Sequence, residues 1–399
     1  MTMAANEKIQ SAISNLRVSA EKQGTIEKLT LGRAVVKIKV FGVGGGGGSV
    51  LKRLAEGDLQ NIDFVAVNTD ARALSALSDA PIKVVQIGGN LTKSHGTGGN
   101  VELGEQAARS DAETLKDLMK GADMIFITAA MGGGAGTGAA PIIAEIAKQL
   151  GILTVGVVTF PFTFEGVRKQ RIANAGIIKM QANMDALVVV KNDNLMKLPE
   201  NRTLSVIDAF RAADSILRQA IRCIAELILT TGFINVDFAD VKTIFQQSNS
   251  SDAILGIGRS NIGAVQAVQQ ALESPLFDRS LKGARGIILN VTGDETLTLY
   301  EVDEAAKYIL TQTEFQDKDE VNIIFGTVIN KKMNGIVQAT LIATDFADSL
   351  AIKAPTISVP KSNLNVQDNF NFAAPNFSPP NADKPKNIIP IFDMNRKDK

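Results

Sequence analysis

Short apolar runs alternate with amphipathic stretches along most of the chain. The first regular run, "AVVKIKVFGVG", alternates, becomes fully apolar and then meets glycine. The same kind of strand signal recurs in "IDFVAVNTD", "IKVVQIGG", "ADMIFITAA" and "LTVGVVTFPF". Helical spacing fills the intervals: "SVLKRLAEG", "ARALSAL", "VELGEQAARSDAETLKDLMKG" as one helix, and "AAPIIAEIAKQLG". Apolar strands separated by helices and short loops predict a parallel sheet covered on both faces. Ligands of such sheets bind at the carboxyl ends of strands, where every glycine run of this chain falls.

The longest helical pattern is predicted over 205–231. Its apolar positions are Val206, Phe210, Ala213, Leu217, Ala220, Ile224, Leu227 and Ile228, and Gly232 is a natural stop. At 1.5 Å per residue it is on the order of 40 Å long, which suits a helix between two domains. Beyond it, the helices "NIGAVQAVQQALES" and "EVDEAAKYILTQ" alternate with the strands "ARGIILNVTG", "VNIIFGTVI" and "GIVQATLIATDF". The ends differ in kind. Residues 1–34 are polar with weak helical spacing and predict a flexible extension. Residues 347–386 are rich in Asn, Pro, Asp and Ser and predict a disordered linker. Residues 387–399 regain Ile, Pro and Phe beside basic residues. The expected class is therefore α/β: a Rossmann-like parallel-sheet domain over 35–204, a central helix over 205–232, a smaller α/β domain over 233–346 and a disordered tail.

Composition narrows the function classes. A length of 399 residues suggests two domains. Lys+Arg and Asp+Glu are both 42, so no global basic field recruits nucleic acid or an anionic membrane. The lone cysteine, Cys223, sits in an apolar helical pattern and reads as core filler suited to a reducing cytoplasm. With one histidine, His95, the chain offers no zinc-like cluster and no Cys–His or Ser–His catalytic pair. No stretch reaches the ~20 apolar residues that span a bilayer. A soluble intracellular protein without direct membrane insertion is expected.

The glycine runs carry the chemistry. Backbone N–H groups bind phosphate only where no side chain keeps it away, and a helix starting just beyond adds its positive end. "GVGGGGGSVLKRL" and "GGGAGTGAAPIIAEIA" both meet these conditions, and neither continues as the GK[ST] of a Walker A loop. Gly42, Gly44 and Gly47 have dinucleotide-fold spacing, with Asp70 ending the second strand, so a nicotinamide-dependent oxidoreductase is one alternative. A second phosphate loop after the fourth strand has no use in that fold. Two or three loops ("GVGGGGGS", "GTGGN" and "GGGAGTG") converging on one pocket suit a triphosphate better.

At this point the motifs "GVGGGGG", "AVNTD", "ADMIFI", "GGGAGTGAAP", "GILTVGVVTFPFTFEG", "AFRAAD" and "INVDFADVKTIF", in this order over about residues 36–345, resemble FtsZ, the cell-division branch of the tubulin family. The resemblance implies a GTP/GDP-binding, Mg²⁺-dependent GTPase that forms head-to-tail filaments at the division site near the membrane. It implies a phosphate loop at Gly45, Gly46, Gly47, Gly48 and Ser49, and a γ-phosphate-sensing loop at Gly98, Gly99 and Asn100. The signature loop would be Gly134, Ala135 and Gly136. Glu165 would bond the ribose, and Lys169 stands where an arginine is usual. Asn192 and Asp214 would read guanine, with Phe210 stacked on it. A carboxylate can accept from both N1–H and the 2-amino group, a pattern adenine lacks. Ala135 replaces the usual threonine; one neutral hydrogen bond is worth about 0.5–1.5 kcal/mol, and Thr137 remains nearby.

"GFINVDFAD" places Asp237 and Asp240 at the start of a helix, where acidic residues are common as caps. The resemblance implies that Asn235, Asp237 and Asp240 complete catalysis on the next subunit. Gly232 lies 18 residues beyond Asp214, about 27 Å along one helix, so this loop projects away from its own nucleotide. In the tail, Ile389, Pro390 and Phe392 would dock membrane tethers such as FtsA. Ala135, Lys169 and Glu105 depart from the usual pattern, which keeps a non-hydrolysing structural relative as a further alternative.

Overall fold

The computed structural model describes residues 36–346 except 58, 60, 199, 200, 202, 230–236, 249 and 316–320. The expected N-terminal extension, Gly232, Asn235, the linker and the tail with Ile389, Pro390 and Phe392 lie outside the described residues.

Alternation along β1 (Ile38–Val43) organises the first half. Ile38 and Val40 enter one apolar cluster, whereas Phe41 and Val43 enter another on the opposite face. β1 pairs in parallel with β2 (Ile62–Asn68) on one side and β4 (Met124–Ala130) on the other. β3 (Lys83–Gln86) forms the edge beyond β2; β5 (Leu153–Phe160) and β6 (Ala186–Lys191) follow β4. The chain thus leaves β1 in one direction and resumes at β4 in the other. That reversal makes a crevice between the carboxyl ends of β1 and β4.

The sheet does not stop at β6. β7 (Asp252–Ser260) pairs in parallel with it, through Leu187↔Asp252 and Val188↔Ala253 only. β8 (Ala284–Gly293), β9 (Asn322–Ile329) and β10 (Val337–Phe346) complete ten strands in the order β3-β2-β1-β4-β5-β6-β7-β10-β8-β9. β10 is antiparallel to both β7 and β8.

Helices cover both faces. α1 (Gly44–Ala55) follows β1, and α2 (Ala71–Ser75) and α3 (Gly89–Thr92) are single turns. α4 (Val101–Ser110) and α5 (Ala112–Met119) replace the single helix expected over 101–121. The break falls at Asp111, whose carboxylate accepts hydrogen bonds from Gly88 N at 2.7 Å and Ser110 Oγ at 3.0 Å. α6 (Gly134–Gln149), α7 (Val167–Gln181) and α8 (Asn192–Leu195) complete the first half. α1 and α6 each begin inside their glycine runs, not after them as the sequence pattern predicts. Tertiary packing overrides the low helical propensity of glycine there.

α9 (Val206–Leu229) is the expected long helix, about 36 Å by its 24 residues. Its Leu217, Ile221 and Ile224 share one cluster with Val40 and Val155 of the first half and with Ile288, Ile324 and Ile342 of the second. α10 (Phe238–Gln247), α11 (Ala264–Glu273) and α12 (Leu299–Gln312) belong to the second half. Among the described residues, no helix is long and apolar enough to cross a membrane.

α1 lies unusually close to the sheet. A Cβ on Gly47 would stand 2.6 Å from Gly42 C and 2.6 Å from Thr128 O, both backbone atoms that cannot step aside. Gly47→Ala should therefore lower stability by about 1–3 kcal/mol, as overpacking does. Urea unfolding checks this, and an unchanged midpoint would show slack in the seam.

Candidate functional site

Two helices meet the β1/β4 crevice with their first turns bare. Val43 and Gly133, the N-cap residues of α1 and α6, make no side-chain cap, and neither first turn contains an acidic residue. Other helices of the chain are capped by side chains: Asn100 Oδ1 accepts from Leu103 N at 3.1 Å, and Thr298 accepts from Glu301 N at 3.2 Å. Bare N–H groups and two helix dipoles aimed at one crevice make an anion site.

The crevice is a cleft of about 430 Å³. Gly45, Gly46, Gly98, Gly134, Ala135, Gly136, Glu165 and Lys169, all expected from the sequence, line it. Asn68, Thr69, His95 and Thr97 join them without that expectation, as does Asp70, which the sequence offers only for the dinucleotide alternative. The two glycine loops touch: a Cβ on Gly44, at φ +72°, would lie 2.9 Å from Gly136 N. Gly45 and Gly133 are different. Both are exposed, have ordinary φ, and would find nothing within 4 Å of an added Cβ. No contact within the described protein requires glycine at either place, so the open space is room for a ligand against bare backbone.

Other expected residues stand aside from this cleft. Gly47 and Gly48 are buried and serve the packing of α1. Ser49 is exposed and donates to Gly45 O at 3.3 Å. Gly99 and Asn100 line a neighbouring cleft with Arg168 and Arg171, and Gly98 belongs to both. Thr137 does not replace the hydroxyl missing at Ala135. Its side chain is fully buried and its Oγ1 accepts from Gly132 N at 2.8 Å, inside its own loop. Glu105 has a structural engagement: its carboxylate bridges Arg109 at 3.1 Å and Lys179 at 2.9 Å, tying α4 to α7. The hydrogen bond from Lys179 is the main reason its pKa falls below the usual range.

Glu165 is held in two directions. Oε1 accepts from Phe162 N at 2.9 Å and Oε2 pairs with Lys169 at 3.0 Å. Its loop is anchored by Asp193, whose carboxylate accepts from Thr163 N at 3.0 Å and Thr163 Oγ1 at 2.5 Å. Phe210, half-exposed near the start of α9, meets Phe162 edge-on at 5.4 Å, and Phe162 stacks on Phe164 at 4.9 Å. Phe164, 67% exposed, was not expected in the site, although two phenylalanines flanking a threonine after a strand are a visible signal.

Asn192 is buried and its Oδ1 has no partner among the described residues. Asp214, one turn after Phe210, pairs through Oδ2 with Arg53 Nε at 3.3 Å. Burial outweighs that cation and raises the Asp214 pKa to about 6. Neither Asn192, Phe210 nor Asp214 lines the 430 Å³ cleft itself. Far along the chain, Asp237 caps α10, accepting from Ala239 N at 3.4 Å, and Asp240 lies in the first turn. Both are exposed, and no Lys or Arg among the described residues pairs with either.

The fold and cleft thus define a phosphate-binding α/β protein, with bare loops and helix ends gathered at a sheet switch point. Comparison with known proteins narrows the class. The tubulin/FtsZ family GTPase domain matches residues 37–200, and the FtsZ family C-terminal domain matches residues 251–347. An empty FtsZ dimer of M. jannaschii is 37% identical, covering 83% of this chain and 92% of that one, at a TM-score of 0.72. A mutant FtsZ of M. jannaschii is 39% identical over 78% and 91%, at 0.73. CetZ2 of Haloferax volcanii, a GTPγS-bound protofilament, shares the fold at 23% identity over 79% and 95%, at 0.65. The chain belongs to the tubulin/FtsZ family and carries that family's GTPase domain.

Gly45→Ala separates binding from packing. It should hold or raise the unfolding midpoint, as alanine for glycine does in a helix, while weakening GDP about tenfold, measured by calorimetric titration of the purified protein. Equal affinity would remove Gly45 from the phosphate cradle.

Proposed function

We propose that this chain binds GTP in the β1/β4 cleft, assembles head to tail with its own copies, and hydrolyses GTP at the junction between subunits. The observation that carries the reading is the pair of open glycines, Gly45 and Gly133, at two uncapped helix starts. Backbone N–H groups of Gly45, Gly46, Gly98, Gly134, Ala135 and Gly136, which line the cleft, receive the phosphates. Asn192 and Asp214 receive guanine beside Phe210, which accounts for a buried amide oxygen with no partner. Residues 35–204 hold the nucleotide, with Phe210 and Asp214 supplied by the helix that follows, and 233–346 present the activating end.

Among the described residues, no three His, Cys, Asp or Glu side chains group to hold a metal ion. Mg²⁺ therefore suits this cleft as an ion carried on the phosphates, with Asp70 and Glu165 as the carboxylates lining it. Its contribution when bound is to offset phosphate charge.

Hydrolysis needs a group to orient the attacking water, worth typically 10²–10⁴-fold. Asp237 and Asp240 have the right chemistry: exposed carboxylates with no cation paired to them among the described residues. They follow α9, whose last described residue, Leu229, lies 15 residues past Asp214, about 22 Å along the helix. They therefore serve the nucleotide of an adjoining subunit, with Asn235 beside them. The FtsZ dimer and the CetZ2 protofilament support assembly of this kind. Identity of 37–39% to FtsZ favours a division-ring role, with Ile389, Pro390 and Phe392 reaching a membrane tether such as FtsA. The occupied Thr137 hydroxyl gives the second reading its support: with no substitute for the hydroxyl absent at Ala135, a slowly hydrolysing or non-hydrolysing filament protein follows.

Phosphate release measured against protein concentration with Mg²⁺, beside light scattering, tests both. A threshold shared by the two signals is expected. Asp240→Ala should keep GDP affinity and lose at least about 100-fold in turnover. A rate simply proportional to protein, or full activity in that variant, would overturn the shared site. Scattering without phosphate release would favour the second reading.

A further inference from the structure

Arg53 lies outside every glycine loop, yet it is the cation seated on Asp214. Gly45, Ser49 and Arg53 follow one another at intervals of four along α1 and so share one face of the helix. That face runs about 12 Å from the phosphate cradle to the carboxylate expected to read guanine. Arg53 Nε meets only Oδ2 of Asp214, at 3.3 Å. Among the described residues nothing else pairs with that carboxylate. Both side chains are largely withdrawn from water, 32% and 19% exposed.

We propose that Arg53 is a positioning residue for guanine recognition: it holds one oxygen of Asp214, keeps the carboxylate ionised, and turns the other oxygen to the base. The inference rests on the reading of the cleft as a GTP site and goes beyond it, because it assigns the base-reading step to a pair. The chemistry is specific. An ionised carboxyl accepts from both N1–H and the 2-amino group of guanine, whereas a protonated one sets its own O–H against a donor. A carboxyl buried in this way favours its neutral form. Burial alone pushes Asp214 upward, and the charge and hydrogen bond of Arg53 are what oppose it, leaving the group at about 6. Arg53 thus keeps the reader in its accepting state at neutral pH.

The other charges around Asp214 are committed elsewhere. On α9, Arg211 pairs with Asp208 at 3.0 Å and Arg218 lines a separate cleft beside Asn290. On α8, Asp193 holds Thr163, and Lys191 at the end of β6 pairs with Asp278 at 2.6 Å. Lys52 on α1 is exposed, and the packed strands β5 and β9 carry no ionisable side chain. The titration of Asp214 therefore answers to Arg53.

The test is GDP affinity of the full chain, by calorimetric titration from pH 6.5 to 8.5, for the unmodified protein, Arg53→Met and Arg53→Lys. Methionine keeps the apolar stem without the charge; lysine keeps the charge without the planar fork. The group's pKa is raised, and the deprotonated form binds. Affinity therefore falls as pH drops through that pKa, by about tenfold per unit below it. The unmodified protein should be nearly flat over this range. Arg53→Met should bind weakly at pH 6.5 and approach the unmodified value at pH 8.5, and Arg53→Lys should lie between. A loss by the same factor at every pH, or no loss, would overturn the proposal. Should Arg53→Met fail to fold, Arg53→Gln gives the same comparison. Asp214→Asn should abolish the pH dependence whichever residue stands at 53; a slope that survives would also overturn it. If the unmodified chain binds no GDP, the GTP-site reading itself falls, a result distinct from the others.

Discussion

At its first turn, α1 meets the sheet backbone to backbone. Gly42 and Gly47 face each other across the seam, with the Thr128 carbonyl beside them, at distances that exclude even one methyl group. Because the helix lies this close, its first turn enters the gap between β1 and β4 instead of riding over it. The second loop can then approach until Gly44 and Gly136 are in backbone contact. The shape of the cleft and the aim of both helix ends follow from that seam. So does the position of Arg53, two turns further along the same rigid helix.

α9 does for the second half what α1 does for the first. The two-pair junction between β6 and β7 is a thin backbone link for a sheet of this width. Packing supplies what the ladder lacks. One apolar cluster runs from β1 and β5, across Leu217, Ile221 and Ile224, to β8, β9 and β10. Side-chain bonds reinforce it: Gln181 donates to Asp252 at 2.7 Å and Lys191 to Asp278 at 2.6 Å. The nucleotide half and the acidic start of α10 are thereby held to one helix.

Much of this was legible from residue order because the physics is local. Strands buried on both faces appear as continuous apolar runs, and the glycine loops interrupt them at their carboxyl ends. Other features depend on distant partners. The break at Asp111 answers to Gly88, 23 residues away. β7 carries Gly256 and Gly258, which weaken its strand signal but let α11 lie against it. α7 shows a polar surface, although its buried Ala173, Gly176, Ile177 and Met180 do keep helical spacing. Motif matching picked out glycines that line the cleft, and it nominated Asp214 as the reader of guanine. It could not find Arg53, an ordinary helix position until α9 is packed beside it, nor show that Thr137 is spent inside its own loop.

The glycine-built start of α1 has a thermodynamic consequence. Five of its first five residues are glycine, each roughly 1 kcal/mol poorer than alanine in a helix interior. No side chain caps the turn. The segment is thus intrinsically reluctant to be helical, and what orders it must come from outside: the sheet beneath it and any anion that occupies its N–H groups. An occupant at those groups contributes hydrogen bonds to the helix as directly as a capping serine does elsewhere. Ligand affinity and local folding are then one linked equilibrium, and the first turn of α1 is a part of the polypeptide whose order depends on what the protein holds.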